Sequence, residues 1–293
     1  MAKSVFKGSG VALITPFNET GVDFQKLDEL LEFQIQGGTD AIIITGTTGE
    51  ASVMTDEEQI DVIRHTVETV RHRIPVIAGC GSNDTKHGAE LSRMAEEAGA
   101  DGLLSVTPYY NKTTQKGLIE HYKRIAKAVS VPIILYNVPG RTGMNMEPST
   151  VASLMEACDN IIGVKECNFN QVGEIFQLCG PEVQVYSGED GLAVPLMSMG
   201  GSGVISVVAN LLPNQVSSMM HACLSGEYSK AAATQIELLP LIKVLFCETS
   251  PIPVKEAMNM LGMQVGECRL PLTTMEEKNR QHLEETLRIM KLL

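Results

Sequence analysis

One pattern recurs along the chain and limits the folds open to it. A short apolar, β-rich run is followed by a polar or Gly/Pro turn, then a stretch with helical periodicity, then another apolar run. The runs are VALIT (11–15), AIIIT (41–45), PVIAG (75–79), GLLSV (102–106), PIILY (132–136), IIGVK (161–165), VQVYS (183–187) and GVISV (203–207). Their starts lie roughly 20 to 35 residues apart, room for one crossover helix each time. Eight such strands leave two architectures, a closed (β/α)8 barrel or an open doubly wound sheet. No G-x-G-x-x-G turn follows the first run, which weakens the dinucleotide-binding form of the open sheet. Eight runs within about 210 residues favour the barrel.

The intervening stretches carry helix signals. Phe24 to Gln36 places Leu27, Leu30, Leu31 and Ile35 on one face. Asp56 to Val70 follows Thr55 as N-cap with Glu58 at the capping-box position, and Ser149 reads as opening the helix of Val151, Leu154 and Met155. Beyond residue 225 the strand signals stop, and 229–246, 253–261 and 274–291 read as helices. The expected division is a barrel over residues 1–225, carrying the active site, and a C-terminal helical domain over 226–293.

Composition narrows the function. With 44% hydrophobic and 20% charged residues in 293, the chain can bury a core of enzyme size. A net charge of −12, spread without a block of like charges, argues against nucleic acid and anionic membrane surfaces as partners. Met1 to Gly10 is short and polar, without a signal core, and no stretch approaches the roughly 18 to 20 apolar residues of a membrane span. Seven scattered cysteines without a C-x-x-C pair point to reduced thiols in a cytoplasmic protein. No H-E-x-x-H or Cys/His zinc spacing occurs, so no protein-held metal is expected.

Barrel active sites sit at the carboxyl ends of the strands, and that rule gathers the chemistry on one rim. GTTGE (46–50) follows the second run and TPYYN (107–111) the fourth; the fifth ends on Tyr136 and leads into NVPGRTG (137–143), and the sixth ends on Lys165. The cluster Gly200-Gly201-Ser202-Gly203 precedes the last run, so it belongs to the opposite face as a tight turn rather than a phosphate cradle. After the seventh run comes SGED, whose Glu189 and Asp190 would repel a phosphate at the usual barrel site. A phosphorylated substrate is disfavoured.

Lys165 shares strand parity with Ile161 and Gly163, so these three side chains are expected to point one way, with the glycine making room. Desolvation favours the neutral form of an amine, and a neutral amine can attack a ketone to form a Schiff base. Tyr136 ends the neighbouring strand, where a phenol hydroxyl can donate and accept a proton. Thr47 and Thr48 lie between glycines, where backbone N–H groups can hold a carboxylate. Arg141 offers a fork for a second carboxylate, and the loop pair Tyr109-Tyr110 suggests a contact surface with another subunit. Each has an ordinary alternative: a lysine reaching into water, a core tyrosine, a plain Gly-rich turn, a solvated arginine. Their convergence on one rim favours the chemistry.

These stretches closely resemble the dihydrodipicolinate synthase (4-hydroxy-tetrahydrodipicolinate synthase) family of the class I pyruvate-dependent aldolase superfamily. The match runs from the TPF at 15–17 through GTTGE, TPYYN, YNVPGRTG, IIGVKE and GVISV to the C-terminal helices. The resemblance implies a (β/α)8 TIM barrel with a C-terminal helical extension, assembled as a homotetramer. It implies that Lys165 forms the Schiff base with pyruvate, and that Tyr136, Thr47 and Tyr110 relay protons, Tyr110 from the neighbouring subunit. Thr48, helped by the backbone at Ile205, would bind the pyruvate carboxylate, and Arg141 the carboxylate of L-aspartate 4-semialdehyde. No cofactor is implied, and the product would feed diaminopimelate and lysine synthesis.

Sister enzymes share the lysine and tyrosine: N-acetylneuraminate lyase and the 2-keto-3-deoxy sugar-acid aldolases. GTTGE and PGRTG together favour the synthase. A barrel that senses a keto acid without turning it over would need no proton relay. One departure from the family bears on regulation. Lysine-inhibited members carry two histidines and a glutamate in the effector pocket, where this chain has Asp56, Gln59 and His87, although Asn83 and Tyr109 fit. Weak or absent feedback by lysine is expected. Glu166 lies on the opposite parity from Lys165 and receives no role from the sequence.

Overall fold

The computed structural model describes residues 4–293, so the first three residues of the polar N-terminal stretch lie outside the described residues. Eight parallel strands close into a barrel: β1 (Gly8–Ala12), β2 (Ala41–Ile44), β3 (Val76–Gly79), β4 (Gly102–Val106), β5 (Ile133–Asn137), β6 (Ile161–Glu166), β7 (Gln184–Ser187) and β8 (Gly203–Ser206). Each pairs with its successor in the chain, and β8 closes on β1 through Gly8↔Gly203 and Ser9↔Val204. Helices α1 (Phe24–Gln36), α2 (Asp56–Val70), α3 (Thr85–Glu97), α4 (Gln115–Ala128), α5 (Pro148–Ala157), α6 (Val172–Cys179) and α7 (Ala193–Ser198) are the crossovers, and α8 (Pro213–Leu224) follows β8. The chain continues through α9 (Tyr228–Val244), α10 (Ile252–Met260) and α11 (Glu277–Ile289). Among the described residues no helix is long and apolar enough to cross a membrane.

The strands read as largely apolar, buried runs because both faces are covered. In β2, Ala41 and Ile43 join the inner core with Ile77, Leu104, Ile134, Ile162 and Ile205. Ile42 and Ile44 join the outer core between strands and helices, which runs on to Leu238, Leu241, Val254 and Leu283 of the last three helices. Each fully buried isoleucine contributes about 1.5 to 3 kcal/mol.

Two sequence expectations need correction. The first strand starts at Gly8, three positions before VALIT, because Phe6 fills the bottom of the barrel and stacks on Tyr186 at 4.4 Å. A Cβ at Gly10 would stand 2.6 Å from the Ile43 side chain and 2.8 Å from the Phe6 ring, so glycine is what lets the strand pass. The ladder ends at Ala12, where the Asn210 side chain donates to Ala12 O (2.8 Å) and accepts from Ile14 N (3.1 Å). Ser149 does not cap α5. Glu147 stands at the N-cap and Pro148 opens the helix, where a fixed φ fits and no N–H is needed. The capping box of α2 is present as expected, with Thr55 Oγ1 accepting from Glu58 N and Thr55 N donating to the Glu58 carboxylate.

Candidate active site

β5 and β6 run in register with Tyr136 opposite Lys165 and Asn137 opposite Glu166. The ladder slips lower down, between Ile133↔Ile161 and Ile134↔Gly163, leaving Ile162 as an extra residue. The slip overturns part of the expected parity. Ile161 packs in the outer core and Ile162 in the inner one, while Gly163 and Lys165 share the inward face of their partners Ile134 and Tyr136. Gly163 does not make room for the lysine either. A Cβ there would lie 1.9 Å from Gln184 O, so glycine is what lets β7 come close.

Lys165 is 6% exposed, and its Nζ stands 4.3 Å from the centroid of the Tyr136 ring. Among the described residues no carboxylate pairs with it, an unusual state for a buried ammonium. Burial pushes the Tyr136 phenol up, while the nearby Lys165 and Arg141 charges and the Thr47 side chain pull it back down. The phenol therefore remains protonated at neutral pH and can donate. Burial holds the neighbouring Cys167 thiol up at about 12, so it does not compete as a nucleophile.

Thr47, Tyr136 and Arg141 line one cavity of about 410 Å³ with Gly46, Val138 and Thr142. In the GTTGE turn the amides of Gly49 and Glu50 are spent on Gly46 O (3.1 Å) and Thr47 O (3.2 Å). Thr47 is exposed towards the cavity and Thr48 is buried beside it. Ile205, in β8, is buried in the inner core. Arg141 sits in the helical turn Pro139–Thr142 and donates to Ser250 O (3.2 Å). Tyr110 is not brought to this group within one chain: it is 91% exposed, at φ 68°, and only its neighbour Tyr109 reaches the cavity.

Asp190 makes concrete why a phosphate does not belong here. It is buried, and its carboxylate accepts from Ser206 Oγ and from Val207 N (2.9 Å) and Val208 N (3.3 Å). The backbone donors after β8, where a barrel commonly holds phosphate, already carry an internal anion. Glu189 beside it is half-buried, and its carboxyl is raised by burial and the Asp190 charge, against the pull of Lys165 and Arg141.

Sequence reasoning missed the supports of this rim. Glu50, visible in GTTGE but given no partner, accepts from Lys255 Nζ (2.9 Å) and Arg269 N (2.8 Å). Its partners lie more than 200 residues away, beyond any spacing signal. At the far end of the cavity, both Asp56 oxygens lie 3.0 Å from His87 Nε2, and Ser82 Oγ lies 3.0 Å from His87 Nδ1. Gln59 donates to Ala51 O (3.1 Å) and Met54 O (3.4 Å).

A closed (β/α)8 barrel with a buried lysine one residue before the end of its sixth strand, opposite a tyrosine one residue before the end of the fifth, defines a lyase of the class I aldolase type. The chain belongs to the dihydrodipicolinate synthetase family, whose model matches residues 5–290. It is 59% identical over 288 residues to the 4-hydroxy-tetrahydrodipicolinate synthase of Acetivibrio thermocellus, covering 98% of each chain. Among solved structures it superposes on the dihydrodipicolinate synthase of Acinetobacter baumannii complexed with pyruvate, at TM-score 0.95 and 40% identity, over 98% of this chain and 100% of the other. A monomeric dihydrodipicolinate synthase variant matches at TM-score 0.96 and 40% identity, over 99% of this chain and 98% of the other.

Proposed function

We propose that this chain condenses pyruvate with L-aspartate 4-semialdehyde, the 4-hydroxy-tetrahydrodipicolinate synthase reaction, through a Schiff base on Lys165. The observation that carries the reading is a buried Lys165 ammonium 4.3 Å from the Tyr136 ring centroid and without a carboxylate partner among the described residues. The neutral amine attacks the pyruvate ketone, and the carbonyl oxygen leaves as water after protonation, with Tyr136 as donor. The iminium draws electrons from the methyl group, which loses a proton to give an enamine. The enamine carbon then attacks the semialdehyde carbonyl, forming the new C–C bond. The amine of the adduct attacks the imine carbon, closing the ring and releasing Lys165.

Thr48 and the backbone at Ile205 hold the pyruvate carboxylate in this scheme, and Arg141 holds the carboxylate of the second substrate as a charge-assisted fork. Thr47 and Tyr110 extend the relay from Tyr136 to solvent. Tyr110 reaches in from a neighbouring copy, which fits its near-complete exposure in the single chain. We assign the site to residues 1–225, with 226–293 as a helical domain, in a cytoplasmic homotetramer built as a dimer of dimers. The experiment is pyruvate with borohydride followed by peptide mass mapping. A reduced adduct on Lys165 is expected; no adduct anywhere overturns the Schiff-base route. Turnover of aspartate semialdehyde over N-acetylneuraminate and 2-keto-3-deoxy acids separates the synthase from its sister aldolases.

A further inference from the structure

Glu166 is a buried charge that the reaction above does not use. It ends β6 directly after Lys165, opposite Asn137, so it faces out of the barrel where Lys165 faces in. It is 2% exposed, and no cation pairs with it among the described residues. Four contacts from amide groups hold it instead. Oε1 accepts from Asn168 N (2.6 Å) and Asn137 Nδ2 (2.8 Å), and Oε2 from Gln171 Nε2 (2.8 Å) and Asn137 Nδ2 (3.1 Å). These donors are themselves tied down. Asn137 Oδ1 accepts from Met146 N (2.9 Å), Gln171 Nε2 donates to Met146 O (2.9 Å), and Asn145 Nδ2 donates to Gln171 Oε1 (3.0 Å). One carboxylate thus fastens the ends of β5 and β6, the turn Phe169–Gln171 and the far end of the loop that carries Arg141.

We propose that Glu166 is a positioning residue: its carboxylate clamps the ends of β5 and β6 and so fixes Tyr136 against Lys165 on the opposite face of the same two strands. The inference rests on the reading of Lys165 as the imine-forming residue. The clamp needs the ionised form, because every group facing the carboxyl is an N–H donor and none would accept a carboxylic proton. Asn137 faces it from β5, Asn168 and Gln171 from the turn, and Asn145 and Met146 complete the ring, none of them titratable. The titratable neighbours are Lys165, on the other face of β6, and Cys167, whose thiol stays protonated. Burial raises the Glu166 carboxyl to about 7, against the downward pull of its hydrogen bonds from Asn168, Gln171 and Asn137. Protonation therefore grows as pH falls through about 7, and the clamp loosens on the acid side.

The test measures kcat and the pyruvate KM across roughly pH 5.5 to 9 for the full-length wild type, Glu166→Gln and Glu166→Asp, with borohydride trapping and melting temperature alongside. The wild type should lose kcat on the acid side with a midpoint near 7. Glu166→Gln should lose on the order of 10- to 100-fold in kcat with pyruvate KM unchanged, and should lack that acid limb. Glu166→Asp, which keeps a carboxylate, should recover part of kcat and keep the limb. A wild-type profile without the limb overturns the clamp even if Glu166→Gln fails to fold. A folded Glu166→Gln with unaltered kcat and profile also overturns it, as does a lowered melting temperature with normal turnover per folded molecule. Absence of any wild-type borohydride adduct would instead sink the Schiff-base reading.

Discussion

Among the described residues two lysines are buried, and they differ in instructive ways. Lys165 is 6% exposed over the Tyr136 ring; Lys255, in α10, is 2% exposed over the Phe17 ring, with Nζ 4.6 Å from its centroid. Burial and an aromatic neighbour are therefore common to both. Lys255 spends its three N–H bonds on Glu50 Oε1 (2.9 Å), Thr15 O (3.1 Å) and Glu267 O (2.8 Å). Lys165 has no such acceptor set among the described residues, and its neighbours are a phenol, a thiol and a cavity that Tyr136 lines. A buried ammonium with every donor satisfied is a rivet; one left without acceptors anchors nothing and faces the cavity's neighbours instead. The rivet also serves the site, because Glu50 belongs to the GTTGE turn that carries Thr47 and Thr48.

The largest expected effect breaks the pair at Lys165. Lys165→Met should lower turnover by at least about 10⁴-fold and abolish the borohydride adduct. Its stability should match or exceed wild type, because an unpaired buried charge is removed. Lys255→Met should do the reverse, costing about 3 to 5 kcal/mol by stranding Glu50, read as a melting temperature roughly 5 to 15 °C lower. The adduct on Lys165 should still form in the folded fraction. Equal losses of stability in the two variants would erase the distinction between rivet and nucleophile.

Tyr136→Phe makes the Lys165 surroundings resemble those of Lys255, an ammonium over a plain phenyl ring. The ring contact survives and only the hydroxyl goes. Turnover should fall on the order of 10²- to 10³-fold in a coupled assay, with melting temperature little changed. If Tyr136→Phe is fully active, the proton passes by another route and the tyrosine serves only as a packing surface.

How much of this could be read from the sequence follows the same division. The barrel was legible because each strand is a short apolar run at crossover spacing, and the rim because active residues cluster at strand ends. Lys165 stood out as the charge closing IIGVK. Ile161 was misplaced because a bulge adds a residue without any composition signal. Gly8 to Gly10 hid the start of β1, since glycine reads as a turn unless the Phe6 ring it must pass is known. Lys255 and the Glu166 clamp were invisible for a different reason: their partners come together only through tertiary folding, across 205 and 29 residues.

The smallest expected effect concerns a third ammonium, that of free lysine arriving from solution. The far end of the 410 Å³ cavity offers such a cation Asp56, but that carboxylate already faces His87 Nε2 at 3.0 Å, and Gln59 is bonded to backbone carbonyls. To bind there, lysine would have to break the Asp56–His87 contact and gain only one acid in return. Unlike Glu50, which is fully buried, Asp56 is half exposed, so water already stabilises it and little is gained by a new partner. Added lysine should therefore leave the coupled rate unchanged through the sub-millimolar range. Inhibition in that range would mean that the Asp56–His87 contact opens readily, and that what separates it from Lys255–Glu50 is burial rather than prior pairing.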